Sequence, residues 1–430
     1  MRRSAPSGAT LWGGLLLLVS VALIARATLG AGFGIAPMRI PAAWCLICGD
    51  GWLMDGVSNV VLFLPFGAAL ALLQLRVWPA AGWSALLSLT VESLQAAGIP
   101  ALRSPSVADV LTNTVGGLMA AGLTTHAPTL WRPTRPLARR LLVAWMGVVI
   151  GCLILTAAAL QPVSPAGVPV DTTVRPSPYE YAPGYGWFGG RLRDARINDV
   201  PFPDRGSGPV VAEVPAIPDR ITVDVTLTGH DSLAYQRAMV FLHPIGDTIP
   251  VALLAQEGPD VRWELRTRGH AWGLAKPGIR LQDVVPPGRL SDATPLALHA
   301  ESAGATLALS SMPATGTARR TVQARLTPLL GWALLQIVVR PDDPGAAAVQ
   351  LAWILVLVAP LARWGRLLGW RWVTSGMAVV GATLVGGAAI GGLALPAPSE
   401  WAMLLLAFGV GCLPWRRLLR SAAPTRYIAG

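Results

Sequence analysis

The stretch Leu11-Trp-Gly-Gly-Leu-Leu-Leu-Leu-Val-Ser-Val-Ala-Leu-Ile24 carries no charged residue, and seven more apolar runs follow, at about 56–76, 80–98, 107–125, 139–161, 347–362, 372–394 and 400–415. In a bilayer every backbone N–H and C=O must be satisfied inside the protein, so runs of this length are expected to be helices. Two of the last three are short, which sets the expected count at about eight spans. Composition agrees: 53% of the residues are hydrophobic and 13% charged. Mean hydropathy is +0.52, too apolar for an ordinary soluble enzyme.

The formal net charge of +11 raises the question of nucleic acid, but the arginines sit at the ends of apolar runs and form no basic stripe with interleaved aromatics, so no nucleic-acid partner is expected. With the N-terminus inside, one side receives Arg2, Arg3, Arg76, Arg132 to Arg140, Arg363, Arg366, Arg371 and Arg416 to Arg426. The other side receives only Arg26, Arg39 and Arg103 among the short loops. The excess marks the cytoplasmic side. Both termini are therefore expected in the cytoplasm, with residues 162–344 outside it. Ala25-Arg26-Ala27 also fits a signal-peptidase site, so whether the first helix is retained stays open; a retained helix is the expectation.

Three of the apolar runs carry polar residues that lipid does not favour. Asp55/Asn59 and Asp109/Asn113 are spaced i,i+4 and Glu92/Gln95 i,i+3, so each pair shares one helix face. Arg103 lies in the link between the second and third run. An ionisable group inside a membrane helix faces protein or water and invites a functional hypothesis. Asn59, Phe63-Leu-Pro65-Phe-Gly67, Glu92-Ser-Leu-Gln95, Arg103, Asp109 and Asn113-Thr-Val-Gly116 together resemble the pattern of VanZ-like membrane proteins, over about residues 50–125. The family is named for a teicoplanin-resistance protein, and the resemblance implies a multi-pass protein of the bacterial inner membrane.

From Gln161 to about Pro344 the texture changes to Pro, Gly, Asp and Arg with no membrane-length run. Arg220–Gly229, Ala238–His243, Val261–Thr267, Leu296–Ala300 and Thr306–Ser310 alternate with period two, and Gly258-Pro259, Pro286-Pro287-Gly288 and Ala303-Gly304 separate them. Short alternating strands between turn signals predict an all-β sandwich. Trp332 to Val339 is expected to be its last strand. The segment Leu254 to Thr267 resembles part of concanavalin A-like (LamG-type) domains, which implies a jelly roll and a carbohydrate ligand.

Several residues have plain structural readings. Ser106-Val-Ala-Asp109 fits a capping box with Ser106 as N-cap. Glu92 lies about two turns from the expected end of its helix and needs a partner, for which Arg103 is near in sequence. Cys45 and Cys48 form one C-x-x-C, too little for zinc, and a local disulfide is expected if their loop is exported. Cys152 and Cys412 lie in apolar runs as small hydrophobes. Oxygen ligands of this kind suit calcium or magnesium, yet no dedicated loop is present, so neither a metal nor a cofactor is expected. The Gly387-Ala-Ala-Ile-Gly391 spacing reads as internal helix packing.

The expected architecture is a membrane α-helical bundle with an inserted β-sandwich, divided as 1–161, 162–344 and 345–430. The expected function is non-enzymatic: a polar pocket of Asp55, Asn59, Glu92, Gln95, Arg103, Asp109 and Asn113 at the outer leaflet, under a sandwich that recognises a glycan, glycolipid or cell-wall precursor. Two other readings stay open. One is a membrane enzyme with Glu92 or Asp109 as general base and Arg103 holding an anionic headgroup. The other is a structural anchor whose polar pairs lock the bundle.

Overall fold

The structure is a computed structural model and describes residues 8–29, 44–48, 51–97, 104–162, 186–187, 190–201, 210–214, 220–228, 236–244, 251–285, 295–313, 319–335 and 340–413. Each of the eight apolar runs becomes a helix: α1 (Gly8–Leu29), α2 (Trp52–Leu72), α3 (Val77–Ala96), α4 (Val107–Trp131), α5 (Arg135–Ala159), α6 (Ala346–Leu368), α7 (Trp370–Gly391) and α8 (Pro398–Cys412). Five are long and apolar enough to cross a membrane: Thr10–Leu29 of α1, and α2, α5, α6 and α7. The polar residues of α3 and α4 lower their apolar character, and α8 has only 15 residues.

The chain forms two compact units. One comprises Met1–Arg132, Ala159–Leu326 and Ala333–Asp343, and the other Pro133–Ala158, Thr327–Trp332 and Pro344–Gly430. Helices α1–α4 and the β-structure belong to the first unit; α6, α7, α8 and nearly all of α5 belong to the second.

In the first unit small residues let the helices approach closely. A Cβ on Gly67 of α2 would overlap the backbone of Gly117 in α4, one on Gly116 would overlap Val60, and one on Gly117 would overlap Ser84 of α3. Without a hydrophobic drive between helices in lipid, such close backbone contact supplies the dispersion that holds them. Phe63, Phe66, Leu70, Val91 and Ala121 fill the remaining core, joined by Ile24 of α1.

Among the described residues the β-structure makes two six-stranded sheets. In the first the order is β1 (Gly186–Trp187), β6 (Gln236–Pro244), β7 (Ala252–Glu257), β8 (Asp260–Leu265), β9 (Gly278–Leu281), with β4 (Val210–Val214) also on β6. Strands β1 and β4 follow one another along one edge of β6, both parallel to it. The second sheet runs β12 (Arg320–Arg325), β11 (Thr306–Pro313), β10 (Leu296–Ala303), β5 (Arg220–Thr228), β2 (Arg191–Ile197), β3 (Val200–Pro201), and is antiparallel throughout. Alternation sets the burial in the second sheet: Ile221, Val223, Val225 and Leu227 of β5 are buried, as are Leu296, Leu298 and Ala300 of β10, whereas β8 is buried on both faces from Val261 to Leu265.

One expected strand is corrected. Gly331–Leu335 is a 3₁₀ turn, and residues 336–339 lie outside the described residues. All five turn residues are buried, so no solvent face exists for a strand's alternation to serve. The Trp332 indole N–H donates to the Gln350 side chain. In the same unit Gly387 and Gly391 face Ala157 of α5, the internal packing that their spacing predicts.

An ion-pair group fastens the chain after this turn to the outer side of β9. Asp343 accepts from the Arg340 amide and the Arg280 guanidinium, both at 2.8 Å, while Asp342 accepts from the Arg280 amide at 2.7 Å. Burial pushes Asp342 upward against the bond from the Arg280 amide. For Asp343 burial also pushes upward, but the Arg340 amide and Arg280 prevail and hold the carboxyl below its ordinary value. A depressed folded value stabilises above the ordinary 3.8 and is lost as pH falls through it.

Two outcomes are expected. Gly117→Val lowers the thermal midpoint of the purified protein, by an amount on the order of 1–3 kcal/mol from overpacking, whereas Gly122→Ala, which meets nothing within 4 Å, leaves it unchanged. Asp343→Asn lowers the midpoint at neutral pH, and a pH series finds its difference from wild type shrinking below pH 3.8.

Candidate functional site

A helix N-terminus presents backbone N–H groups without intrahelical partners, and burying them unpaired costs about 1–3 kcal/mol each. The start of α4 is buried at Pro105 and Ser106, and each of its first N–H groups has an acceptor. The Ser106 amide donates to Glu92 Oε2 of α3 at 2.7 Å. Val107 and Ala108 donate to the carbonyls of Cys45 and Leu46, both at 3.1 Å. Asp109 donates to the Ser106 hydroxyl at 3.4 Å. Ser106 is therefore the expected N-cap, but Glu92 from another helix takes the amide that a capping box gives to the residue at the third position. Glu92 lies one turn, rather than two, from the end of α3 at Ala96.

Cys45 and Cys48 are joined in a disulfide. The Cys45 amide donates to the Pro105 carbonyl at 3.1 Å, completing a parallel bridge with the start of α4. The short loop thus acts as an extra cap. The Gly273 carbonyl, after β8, accepts from Met54 in the first turn of α2 at 2.9 Å, so β-structure adjoins this same end of the helices.

Glu92 belongs to a buried row on α3. Ser84, Ser88, Glu92 and Gln95 share one face and are all buried. Ser84 meets Gly117, Ser88 accepts from Asn113 Nδ2 at 2.8 Å, Glu92 caps Ser106, and Gln95 Nε2 donates to the Thr28 carbonyl of α1 at 3.3 Å. The antiparallel neighbours α3 and α4 are therefore matched step by step. Spacing alone identifies Glu92 and Gln95; the same period would have added Ser84 and Ser88.

The expected polar group divides in two. Glu92 is 2% exposed, Gln95 3% and Asn113 3%, and all three tie helices together. Asp55 is exposed, while Asn59 and Asp109 are half-buried. Gly56 of α2 faces Thr112 of α4, which brings the Asp55–Asn59 turn beside the Asp109–Asn113 turn. Asn113 Oδ1 is buried without a hydrogen-bond partner among the described residues. Arg103 lies outside the described residues. With its carboxylate on an amide and out of contact with solvent, Glu92 is poorly placed to take a proton from a substrate.

A second polar site lies on the outer face of the antiparallel sheet. A cavity of about 390 Å³ is lined by Asn198, Asp199, Arg220, Thr222, Asp224 and His299. Asn198 and Asp199 form the two-residue loop between β2 and β3, at φ 48° and 66°, the left-handed pair of a type I′ hairpin that Asn and Asp tolerate. Asn198 Oδ1 accepts from the Thr222 amide at 2.8 Å and fixes the loop to β5. His299 Nδ1 bonds Asp224 at 2.8 Å, and Arg220 pairs with Glu301 at 2.7 Å. No hydroxyl or thiol bonds to His299 among the described residues.

A family model described as VanZ/LLP1 matches residues 17–130, which covers α1 from its third turn, α2, α3 and nearly all of α4. No curated protein matches the chain, and no solved structure does so either.

Truncation at the cap tests the assignment. Glu92→Ala is expected to lower the thermal midpoint by an amount corresponding to about 1–3 kcal/mol, for an orphaned amide. Glu92→Gln, which keeps an acceptor oxygen, is expected to lose less.

Proposed function

We propose that this protein is a multi-pass, non-enzymatic component of the bacterial inner membrane, in which α1–α4 carry an exported β-region that recognises a glycan, a glycolipid or a cell-wall precursor. The reading takes all eight helices as spans, both termini as cytoplasmic and the β-region as a concanavalin A-like jelly roll. The observation that carries it is the open cavity around His299, whose hydroxyl, amide, carboxylate, guanidinium and imidazole groups match the hydrogen-bonding surface of a sugar.

Export of this end of the molecule is supported by the Cys45–Cys48 disulfide, a bond that persists in oxidising compartments. The scarcity of arginine in the short loops on this side agrees. The VanZ-like helices supply the link to glycopeptide resistance: a protein that holds cell-wall precursor glycans at the outer leaflet bears on how glycopeptides reach them. In this account Glu92, Gln95 and Asn113 build a rigid wall, and Asp55, Asn59 and Asp109, with Arg103, present the polar groups of a pocket at the outer leaflet.

The test is titration of the purified full chain in lipid nanodiscs with peptidoglycan fragments and lipid-linked sugars. Binding is expected, and Asp224→Asn or His299→Ala is expected to weaken it roughly tenfold, the loss of one or two hydrogen bonds. Wild-type protein that binds none of these sugars, or binding untouched by both substitutions, ends the reading.

A further inference from the structure

The second unit carries a strong unbalanced charge at one end. Arg135, Arg139 and Arg140 open α5, Arg363 and Arg366 close α6, and Arg371 opens α7. Arg135, Arg139, Arg140, Arg366 and Arg371 are exposed. No Asp or Glu occurs in α5, α6 or α7. Among the described residues of this unit the sole carboxylate side chain is Glu400, which accepts from the Ala397 amide and Thr327 at the start of α8.

The arginines are also arranged. The Arg139 guanidinium lies over the Trp372 ring at 5.9 Å, and that of Arg366 over the Trp370 ring at 4.7 Å. Trp370 and Trp372 both lie in the first turn of α7, so one guanidinium from α5 and one from α6 each stack on a ring of that turn. Trp145 of α5 packs edge-on against Trp364 of α6 at 6.4 Å and donates to the Leu357 carbonyl at 2.8 Å. These contacts bind the three helix ends into one body. Exposed tryptophans with arginines are the side chains of a membrane interface.

Cations in the first turns of α5 and α7 oppose the helix dipole. That cost, together with the concentration of positive charge, is relieved by an anion, and a phosphate accepts from arginine in bidentate fashion. We propose that this end of the second unit is a binding site for an anionic phospholipid, whose phosphate is held by its exposed arginines, Arg139 and Arg366 among them, and whose acyl chains follow the apolar faces of α5 and α7. Stacking on Trp370 and Trp372 holds the guanidinium planes ready for that phosphate. The site is separate from the glycan reading and stands without it.

The experiment uses the full chain purified in detergent and presented with an equimolar mixture of phosphatidylglycerol and phosphatidylcholine. The lipid retained is then read by native mass spectrometry, and the thermal midpoint by a separate scan. Phosphatidylglycerol is expected to be retained preferentially and to raise the midpoint; phosphatidylcholine and inorganic phosphate are not. The Arg139→Ala/Arg366→Ala variant is expected to lose the preference on the order of tenfold, because each surface cation contributes about 1 kcal/mol toward an anionic lipid. Arg139→Lys/Arg366→Lys, which keeps the charge, serves if the alanine variant does not fold, and is expected to retain less lipid than wild type. Equal retention of both lipids by wild type overturns the proposal, as does a midpoint raised as much by inorganic phosphate. A double variant, alanine or lysine, with unchanged preference does the same.

Discussion

Burying the start of α4 is the constraint from which the rest of the first unit follows. A helix that begins inside protein must find acceptors for its first amides, and water is not there to provide them. This chain meets the requirement with three sources at once: the Ser106 hydroxyl, the Glu92 carboxylate of α3, and the carbonyls of the disulfide-closed Cys45 loop. A carboxylate at a helix N-terminus also gains from the dipole, which offsets the cost of burying an ion in this helical setting. A buried glutamate for which the sequence leaves a catalytic reading open has a structural task here, the capping of a helix start.

The cap has geometric consequences. Once Glu92 meets Ser106, an antiparallel partner fixes the rest of the register: Ser88 lies at Asn113 and Ser84 at Gly117. Close approach at Gly117 then requires the bare backbone, and α2 closes over the same place with Gly67. Polar contacts set the register and glycines set the distance, a division of labour that suits helices in lipid, where the hydrophobic effect cannot choose between registers. Asp55 stays exposed and Asn59 and Asp109 half-buried beside this packing.

Much of this was legible in the sequence. Apolar length located the eight helices, Ser106 and Asp109 declared a cap through local spacing, and period two located the central strands β5, β8, β10 and β11. What escaped was non-local. Glu92 accepts from an amide 14 residues on, and no spacing rule names a backbone partner. The His299 cavity draws on β5, β10 and the β2–β3 hairpin, which lie apart in the chain and come together only through sheet order. Trp332 failed as a strand because burial on all sides of a short apolar run looks the same in sequence for a strand and a 3₁₀ turn.

Hydrogen–deuterium exchange of the full chain in nanodiscs, resolved at the amides of Ser106, Val107, Ala108 and Asp109, tests the capped helix start most directly. Protection at these four positions comparable to the middle of α4 is the predicted result, with Ser106 losing it when Glu92 is replaced by alanine. Exchange in wild type as fast as at an unrestrained helix end would contradict the account.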